Sequence, residues 1–436
     1  MLISLRRFQI PPVSYALRAP LLSSLALSAG AGSLSFSRAT TGMVFGHAPT
    51  AISGDPQLML TAATGEPRFI GARRVSAGSW SALLSDSSVI PDAELKGVFI
   101  EGQRQNQTVY AEQFDNAAWI QSANTIVANA SISPDGTTTA DKCVPTAVSA
   151  GHYLYQSKTL TVGSDYTSSV YAKPGGYNWI WVAAYEAATG ITHSAFFNVA
   201  AGTVGTTAAC TATIVAANNG FYRCAITFTA TATSATVQYN VVDIDNRTGA
   251  WAGDGISGAY VWAAQLEQGA FPSSYIPTVG SAVTRNADVL SCPTASNIDT
   301  SGTVVISFTP RHAPSGTIYL WGSYTDANNS TQILHDGTNL IMRKRIAGTN
   351  YDAIYALAFV KDTTYKIAAR FGASGQQICV NTVLGTADAN AIAGTIAATM
   401  EIGSDGNGAG QAFAGFRDFE TWVTAATDTE LQGATA

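Results

Sequence analysis

Short runs of alternating apolar and polar residues, each closed by a turn, recur along the chain from residue 107 onward. Side chains two positions apart lie on one face of an extended strand, so this period predicts strands with one buried face. The turns between them carry Pro, Asp, Asn and Gly, which favour tight reversals of the chain. The runs before residue 270 include HYLYQSKTLTV, YTSSVYAK, YNWIWVAAY, HSAFFNV, FYRCAITFTA, ATVQYNVVDI and AYVWAAQLE. Their regular spacing predicts a β-sandwich of the jelly-roll type.

A second series of strand-like runs begins near residue 303 and ends at FAGFRDFETWVT (413–424). Behind it, Thr427 and Glu430 have the T-x-x-E spacing of a capping box, which predicts a short C-terminal helix. The joining segment 271–293 contains three prolines and is expected to be stiff. The predicted fold class is therefore all-β, with two tandem jelly-roll sandwiches.

The first quarter of the chain has a different pattern. Its strand-like pieces are short and separated by Gly, Pro and Asp, and Pro11 and Pro12 interrupt a weak resemblance to a signal peptide. We expect an arm there that docks on another protein. The predicted divisions are an N-terminal arm over 1–35, a lead-in region over 36–106, one sandwich over 107–290 and a second over 291–436.

Charge and hydropathy exclude two classes of partner. The net charge is −6, and the 23 Lys and Arg residues are thinly spread, whereas a nucleic-acid surface needs them clustered. The densest cluster, MRKR (342–345), stands alone and is interpreted as a solvated strand edge. Since no run of about eighteen apolar residues occurs, membrane insertion is not expected.

Five cysteines, at positions 143, 210, 224, 292 and 379, show neither a CxxC motif nor zinc spacing. Cys210 and Cys224 flank AANNG (216–220) at equal distances from Ala217, so they could face each other across a hairpin. The odd count favours free, buried thiols over a disulfide framework.

The segment GYNWIWVAAY (176–185) concentrates aromatic rings on one face of a predicted strand, at Tyr177, Trp179, Trp181 and Tyr185. The alternate face, with Ile180 and Val182, is also apolar. The rings could therefore form a core wall, or an exposed platform for a flat apolar ligand such as a sugar ring. The other rings lie in apolar alternation and are predicted core residues; they are Trp119, Tyr153, Trp262, Trp321 and Trp422.

Acidic residues offer weaker signals. The pairs Asp243/Asp245 and Asp418/Glu420 each share a strand face and could act as acid and base, but solvation or hydrogen bonds to loops explain them more simply. No nucleophile elbow, Cys–His spacing or phosphate loop occurs, so no catalytic residue is predicted. The oxygen-rich loop 243–255 could hold Ca²⁺ or simply form a turn, as could 323–330 and 403–408. No cofactor is predicted.

Several separated motifs occur in an order that resembles a known module. They are EQFDNAAW (112–119), SPDGTTTADK (133–142), YQSKTLTVGSDYTSSVYAK (155–173), NNGFYRC (218–224), YVWAAQLEQGAFPSSYIPT (260–278) and VTRNADV (283–289). Together they resemble a module of bacteriophage fibre and head-spike proteins, which is similar to carbohydrate-binding modules. The end of the chain, from MEIGSDGNG (400–408) to TDTELQ (427–432), resembles a concanavalin A-like lectin domain of the laminin-G type.

This resemblance implies a structural protein of a phage or prophage particle, made in the bacterial cytoplasm and carried on the virion. It implies a homotrimer whose N-terminal arm contacts other virion proteins and whose ligand is a host surface polysaccharide. On that expectation, the rings of Trp179, Trp181 and Tyr185 stack on the sugar. Asp243, Asp245 and Asn246 are then its polar contacts. The alternatives are a purely architectural virion protein and, more remotely, a capsule depolymerase.

Overall fold

The structure is a computed structural model of the 436-residue chain. It describes residues 97–313, 316–392 and 394–436, together with the backbone of short strands between residues 13 and 81. The predicted arm, apart from Val13–Ser14 and Ser35, lies outside the described residues. The same is true of much of the predicted lead-in region.

The described elements are almost all strands. The N-terminal ones are β1 Val13–Ser14, β2 Ser35–Ser37, β3 Gly42–His47, β4 Gln57–Ala62, β5 Arg68–Ile70, β6 Arg73–Ser76, β7 Ser79–Ser81, β8 Gly97–Ile100 and β9 Arg104–Asn106. The middle of the chain forms β10 Ile120–Ser122, β11 Asn124–Ser131, β12 Ala140–Pro145, β13 Tyr153–Thr159, β14 Asp165–Gly175, β15 Trp179–Glu186, β16 Ile191–Asn198, β17 Thr203–Ala208, β18 Thr211–Ala216, β19 Tyr222–Thr229, β20 Ser234–Val242, β21 Gly258–Gln268 and β22 Val283–Arg285. The remainder forms β23 Val289–Pro293, β24 Gly302–Pro310, β25 Ile318–Asp326, β26 Asn329–His335, β27 Asn339–Ile346, β28 Thr349–Ala356, β29 Tyr365–Phe371, β30 Gln377–Val380, β31 Val383–Leu384, β32 Thr399–Ile402, β33 Ala414–Trp422 and the helix α1 Asp428–Ala434.

The prediction of an all-β protein is confirmed. The chain divides into two compact units. The central unit contains residues 39–64 and 103–286, and the C-terminal unit contains residues 1–38, 65–102 and 287–436.

The central unit is a sandwich of two six-stranded antiparallel sheets. The front sheet has the order β10-β13-β20-β15-β16-β17, and the back sheet has the order β11-β12-β21-β14-β19-β18. Their facing side chains form one core, to which Val182 and Val237 contribute from the front sheet and Val170 and Val261 from the back sheet. The turn from β15 to β16 reverses at Gly190, which has φ +71° and donates its N–H to the carbonyl of Glu186 (2.9 Å).

The C-terminal unit is built from a seven-stranded sheet, β2-β23-β32-β25-β26-β27-β28, and an eight-stranded sheet. The second follows the order β31-β30-β29-β24-β33-β8-β5, with β1 also paired to β33. Trp321 of the first sheet stacks on Phe371 of the second, with ring centroids 5.9 Å apart. The predicted terminal helix is confirmed as α1, because Thr427 and Glu430 form both hydrogen bonds of the capping box.

The interpretation of residues 342–345 as a solvated strand edge is wrong. Strand β27 lies between β26 and β28, and both Met342 and Lys344 are fully buried. The ammonium group of Lys344 donates to the carbonyl of Thr300 (2.7 Å) and lies 5.1 Å from the Phe371 ring centroid. Burial lowers the pKa of Lys344 to about 8.

The five cysteines are free thiols. The possibility that Cys210 and Cys224 face each other is wrong, because Cys224 lies opposite Ile214 in the β18–β19 hairpin. The reversal is centred on the 3-10 turn Asn218–Gly220 and not on Ala217. Burial raises the pKa of Cys143 to about 12, so this thiol stays neutral.

Candidate functional site

Strand β15 turns its aliphatic face inward and its rings outward. Ile180, Val182 and Ala184 are fully buried in the core between the two sheets. The alternate residues Trp181 and Ala183 belong to a separate cluster on the outer face of the front sheet, against which Trp179 also packs. The aromatic stripe of β15, formed by Trp179, Trp181 and Tyr185, is therefore not part of the inter-sheet core.

Burial within this stripe increases toward its middle. Tyr185 is 38% exposed, whereas Trp181 is only 9% exposed, because its indole stacks on Phe196 of β16. The two rings are nearly parallel, at 7°, with centroids 5.6 Å apart. Trp181 is thus both a packed residue and a wall of the outer face, and neither of the two predicted interpretations alone describes it.

Tyr177 departs from the stripe because strand β15 begins only at Trp179. The preceding Gly176 has φ +122°, which breaks the alternation. The Tyr177 ring packs against the inter-sheet core and meets Trp251 edge-on, with centroids 5.2 Å apart. Three of the four rings therefore share the outer face.

A shallow, open groove of about 380 Å³ lies on this outer face. Strands β13, β20, β15 and β16 supply its lining, which consists of Tyr153, Tyr155, Trp181, Tyr185, Thr192, Thr236 and Gln238. The prediction of Tyr153 as a core residue is wrong, since it is half-buried and lines the groove. The volume lies within the range of about 300–1,000 Å³ that is usual for small-ligand sites.

Strand register explains why the face is grooved there. Ala183 lies between Trp181 and Tyr185 on β15, opposite Gln238 of β20 and Ser194 of β16. Two small side chains in one cross-strand row leave a low floor. The larger Trp181 and Tyr185 side chains stand on either side of it.

Other predicted site residues lie outside this lining. Trp179 is half-buried and packs closely over Gly205 of β17, where a Cβ would lie 2.7 Å from its ring. Asp243 is paired with Arg247, whose Nε and Nη2 donate to its two oxygens at 2.8 and 2.9 Å. The hydrogen bond from Arg247 is the main cause that holds the pKa of Asp243 below its ordinary value.

Asp245 and Asn246 shape the loop after β20. Oδ1 of Asp245 accepts from the backbone N–H of Thr206 (3.0 Å), and Oδ2 accepts from the Thr206 hydroxyl (3.1 Å). Asn246 occupies a left-handed turn position, with φ +57°. The structure therefore brings Trp181 and Tyr185 together at the groove but places the three predicted polar contacts in a neighbouring loop.

The polar residues that do line the groove are Gln238, Thr236 and Thr192, and sequence reasoning did not select them. A signal for two of them was present in ATVQYNVV (235–242), where Thr236, Gln238 and Asn240 alternate with buried apolar residues. It shows which face of β20 is polar. It does not show that this face adjoins the rings of β15, because strand pairing is not readable from periodicity.

The candidate metal loops and acid pairs have other partners. Oδ1 of Asp254 accepts the backbone N–H groups of Ile256 (2.9 Å) and Ser257 (2.6 Å), so it stabilises a turn. Oδ2 of Asp418 accepts from the Ser307 hydroxyl (3.0 Å). Within the described residues, no group of three or more His, Cys, Asp or Glu side chains is placed to hold a metal ion.

None of the helices in the described part of the chain has the length and apolar character needed to cross a lipid bilayer.

No protein-family model matches the chain, and no curated protein is significantly similar to it. Partial structural matches include carbohydrate-binding and lectin-like β-sandwich domains, each with a TM-score of 0.30 or lower. A sialidase carbohydrate-binding module, "Ruminococcus gnavus IT-sialidase CBM40 bound to alpha2,3 sialyllactose", has 15% identity and a TM-score of 0.28 over 33% of this chain and 86% of that one. Domain 4 of the arabinanase AbnA from Geobacillus stearothermophilus, in complex with arabinotriose, has 13% identity and a TM-score of 0.30 over 38% of this chain and 82% of that one. NanB has 16% identity and a TM-score of 0.29 over 33% of this chain, and the match covers only 26% of NanB.

Proposed function

We propose that the protein is a glycan-binding component of a phage or prophage particle, a tail fibre or head spike, which holds host surface saccharide without cleaving it. The binding site is the outer-face groove of the central unit. The observation that carries the proposal is the joint placement of Tyr153, Tyr155, Trp181 and Tyr185 around one open groove.

The chemistry of this lining suits a sugar. A pyranose ring has an apolar face of C–H groups, which packs against aromatic rings, and a rim of hydroxyls, which exchanges hydrogen bonds with amides and hydroxyls. Tyr185 offers the most exposed ring, while Thr192, Thr236 and Gln238 supply polar atoms beside it. An open groove on a sheet face also accepts an internal part of a long polysaccharide, because the chain is free to leave at either end.

The residues that line the groove support binding of a glycan without its hydrolysis. Glycoside hydrolysis requires two carboxyl groups about 5–10 Å apart on either side of the scissile bond. The described residues that line the groove carry no carboxylate. Glu186, which follows Tyr185, has its side chain fully buried next to His193 and Thr231.

The particle context rests on the ordered motifs between residues 112 and 289, which resemble the phage fibre and head-spike module. The location on the virion, the homotrimeric state and the docking of the N-terminal arm are part of the same proposal and rest on the same resemblance. In a trimer, three grooves would engage one host surface together, so a weak affinity at each groove still gives firm attachment.

The direct test is binding of the purified full-length protein to an array of bacterial surface glycans, followed by titration calorimetry with the best ligand. Replacing Tyr185 by Ala should weaken binding about three- to tenfold, because a ring stacked on the sugar is lost. The same replacement at half-buried Tyr351, in the C-terminal unit, is the control and should leave affinity unchanged. Failure to bind any glycan, or a Tyr185→Ala variant that binds as well as the parent, contradicts the proposal and favours an architectural protein.

A further inference from the structure

The side-chain amides next to the groove have a fixed orientation. The backbone N–H of Leu154 donates to Oδ1 of Asn240 (2.9 Å), and Nδ2 of Asn240 in turn donates to Oε1 of Gln238 (2.9 Å). Because a backbone N–H can only donate, it determines which end of each amide is oxygen. The oxygen of Gln238 therefore already accepts one hydrogen bond, and its Nε2 group, which has no partner among the described residues, is the donor left for a ligand.

A second unused donor lies in the same lining. The indole Nε1 of Trp181 is shielded from solvent and has no hydrogen-bond partner among the described residues. An indole nitrogen can donate but cannot accept. A buried donor without an acceptor is unfavourable, so a ligand acceptor that reaches this edge after a small movement of the enclosing side chains relieves a cost already present in the free protein.

The lining also limits the charge of that acceptor. Its side chains are tyrosine, tryptophan, threonine and glutamine, none of which carries a positive charge. A carboxylate placed against them would lose water without gaining a cationic partner. The two donors therefore suit a strong but uncharged acceptor, of which an amide carbonyl is the common example on sugars.

We propose, building on the glycan-binding function above, that the groove selects 2-acetamido sugars. The acetamido carbonyl oxygen accepts from Nε2 of Gln238 and Nε1 of Trp181. The acetamido methyl group packs against the surrounding rings, and the pyranose face lies on Tyr185. A 2-hydroxyl group at the same position has no methyl to bury and is a poorer acceptor, which is the source of the selectivity.

The test compares sugars that differ only at C2. Titration calorimetry of the full-length protein with chitotriose and cellotriose, and with methyl N-acetyl-α-galactosaminide and methyl α-galactoside, gives two matched pairs. In at least one pair the acetamido sugar should bind about tenfold more tightly, as expected for one or two additional hydrogen bonds and a buried methyl. A trimer of hexuronic acid serves as the anionic probe and should bind more weakly than the preferred acetamido sugar.

Two variants connect the selectivity to the named donors. Gln238→Glu keeps the oxygen that accepts from Asn240 but replaces the free NH₂ by an oxygen, and Trp181→Phe keeps a stacking ring but removes the N–H. Each should reduce the preference within the responsive pair to about threefold or less, and the quantity compared is this ratio of affinities, so that a general weakening of glycan binding does not count as a loss of preference. Gln113→Glu, at an exposed position of the same unit, has the same change in charge and should keep the full preference.

The outcomes separate this inference from the function on which it rests. Equal affinity within both pairs, preference for the hexuronate, or full preference retained in Gln238→Glu and Trp181→Phe overturns the selectivity. Glycan binding on the array would then still stand. Absence of binding to every glycan removes the proposed function and this inference together.

Discussion

At the level of single residues, Glu186 connects the groove-bearing strand to the rest of the central unit. It is the last residue of β15, and its carboxylate accepts the backbone N–H of Thr231 (3.1 Å) and the Thr231 hydroxyl, in the turn between β19 and β20. Nε2 of His193 lies 3.6 Å from the same carboxylate. Because β19 belongs to the back sheet and β20 to the front sheet, one side chain ties β15 to the turn that joins them.

This arrangement predicts a pH dependence of stability. Burial tends to raise the pKa of Glu186, but the hydrogen bonds from Thr231 and the nearby His193 outweigh it and hold the pKa below its ordinary value of 4.5. The ionised form therefore stabilises the folded protein. Its contribution is complete above the unfolded-state pKa near 4.5 and is lost as the pH falls through the lower folded-state pKa.

The measurement is the melting temperature of the parent and of Glu186→Gln between pH 7 and pH 3. The variant should be less stable at pH 7, and the difference should shrink as the pH falls below about 4.5, because the unfolded parent then takes up a proton at this carboxyl while the folded parent does so only at lower pH. Glu112→Gln is the comparison of opposite sign. Burial raises the pKa of Glu112 above its ordinary value, so its ionised form destabilises the folded protein. A gap between parent and Glu186→Gln that is constant over the whole pH range contradicts the assignment.

At the level of elements, one face of β15 packs in the core and the other lines the groove. Substitutions on the two faces should therefore affect stability and binding to different extents. Ile180→Ala empties a fully buried site between the sheets and should lower the free energy of unfolding by about 2–5 kcal/mol. Tyr185→Ala removes a partly exposed ring, so its effect on stability should be about 0.5 kcal/mol or less. Chemical denaturation followed by circular dichroism measures both.

Binding to the glycan found on the array should show the reverse order. Ile180→Ala, measured at a temperature where it is folded, should keep the parent affinity, while Tyr185→Ala should not. If Tyr185→Ala destabilised the protein as much as Ile180→Ala, the ring would be acting as a core residue. This result would contradict the proposal that the outer face binds a glycan.

Much of this element was predictable from the sequence, but its orientation was not. The alternation in 176–185 predicted a strand with rings on one face, and β15 has that form from Trp179 to Tyr185. Both faces are apolar, so hydrophobicity could not select the inner one. The choice is made by the neighbours, because Ile180 pairs with Val241 and Val182 with Tyr239, both of which face the core.

The polar part of the groove could not be predicted from the sequence, for a related reason. Gln238 becomes a groove residue only because β20 pairs with both β13 and β15, which puts it beside Tyr155 and Ala183. These partners are more than 50 residues away in sequence. The acidic residues after β20 were a visible motif, but Asp243 pairs with Arg247 of the same loop, and Asp245 accepts from Thr206 of β17.

At the level of the whole molecule, the segment 103–286 of the central unit is closed by its own ends. Strand β9 at its start pairs with β22 at its finish, with Asn106 opposite Val283 and Arg285 opposite Arg104. Asn106 is fully buried, and its Nδ2 donates to the carbonyls of Ala264 (3.0 Å) and Ile276 (2.9 Å). These bonds join the first strand of the segment 103–286 to β21 and to the chain that follows it.

We therefore expect residues 103–286 to fold as an independent unit that retains the groove. The fragment should unfold in one cooperative transition and bind the same glycans as the full chain. A fragment over 107–286 lacks only four residues, yet it loses β9 and leaves the buried carbonyl of Ile276 without the Asn106 amide that donates to it. Each buried polar group left unsatisfied costs about 1–3 kcal/mol, so this fragment should melt well below the longer one. Differential scanning calorimetry of the two fragments decides the matter: equal melting temperatures would show that β9 is dispensable, and an uncooperative transition in 103–286 would show that the unit depends on the rest of the chain.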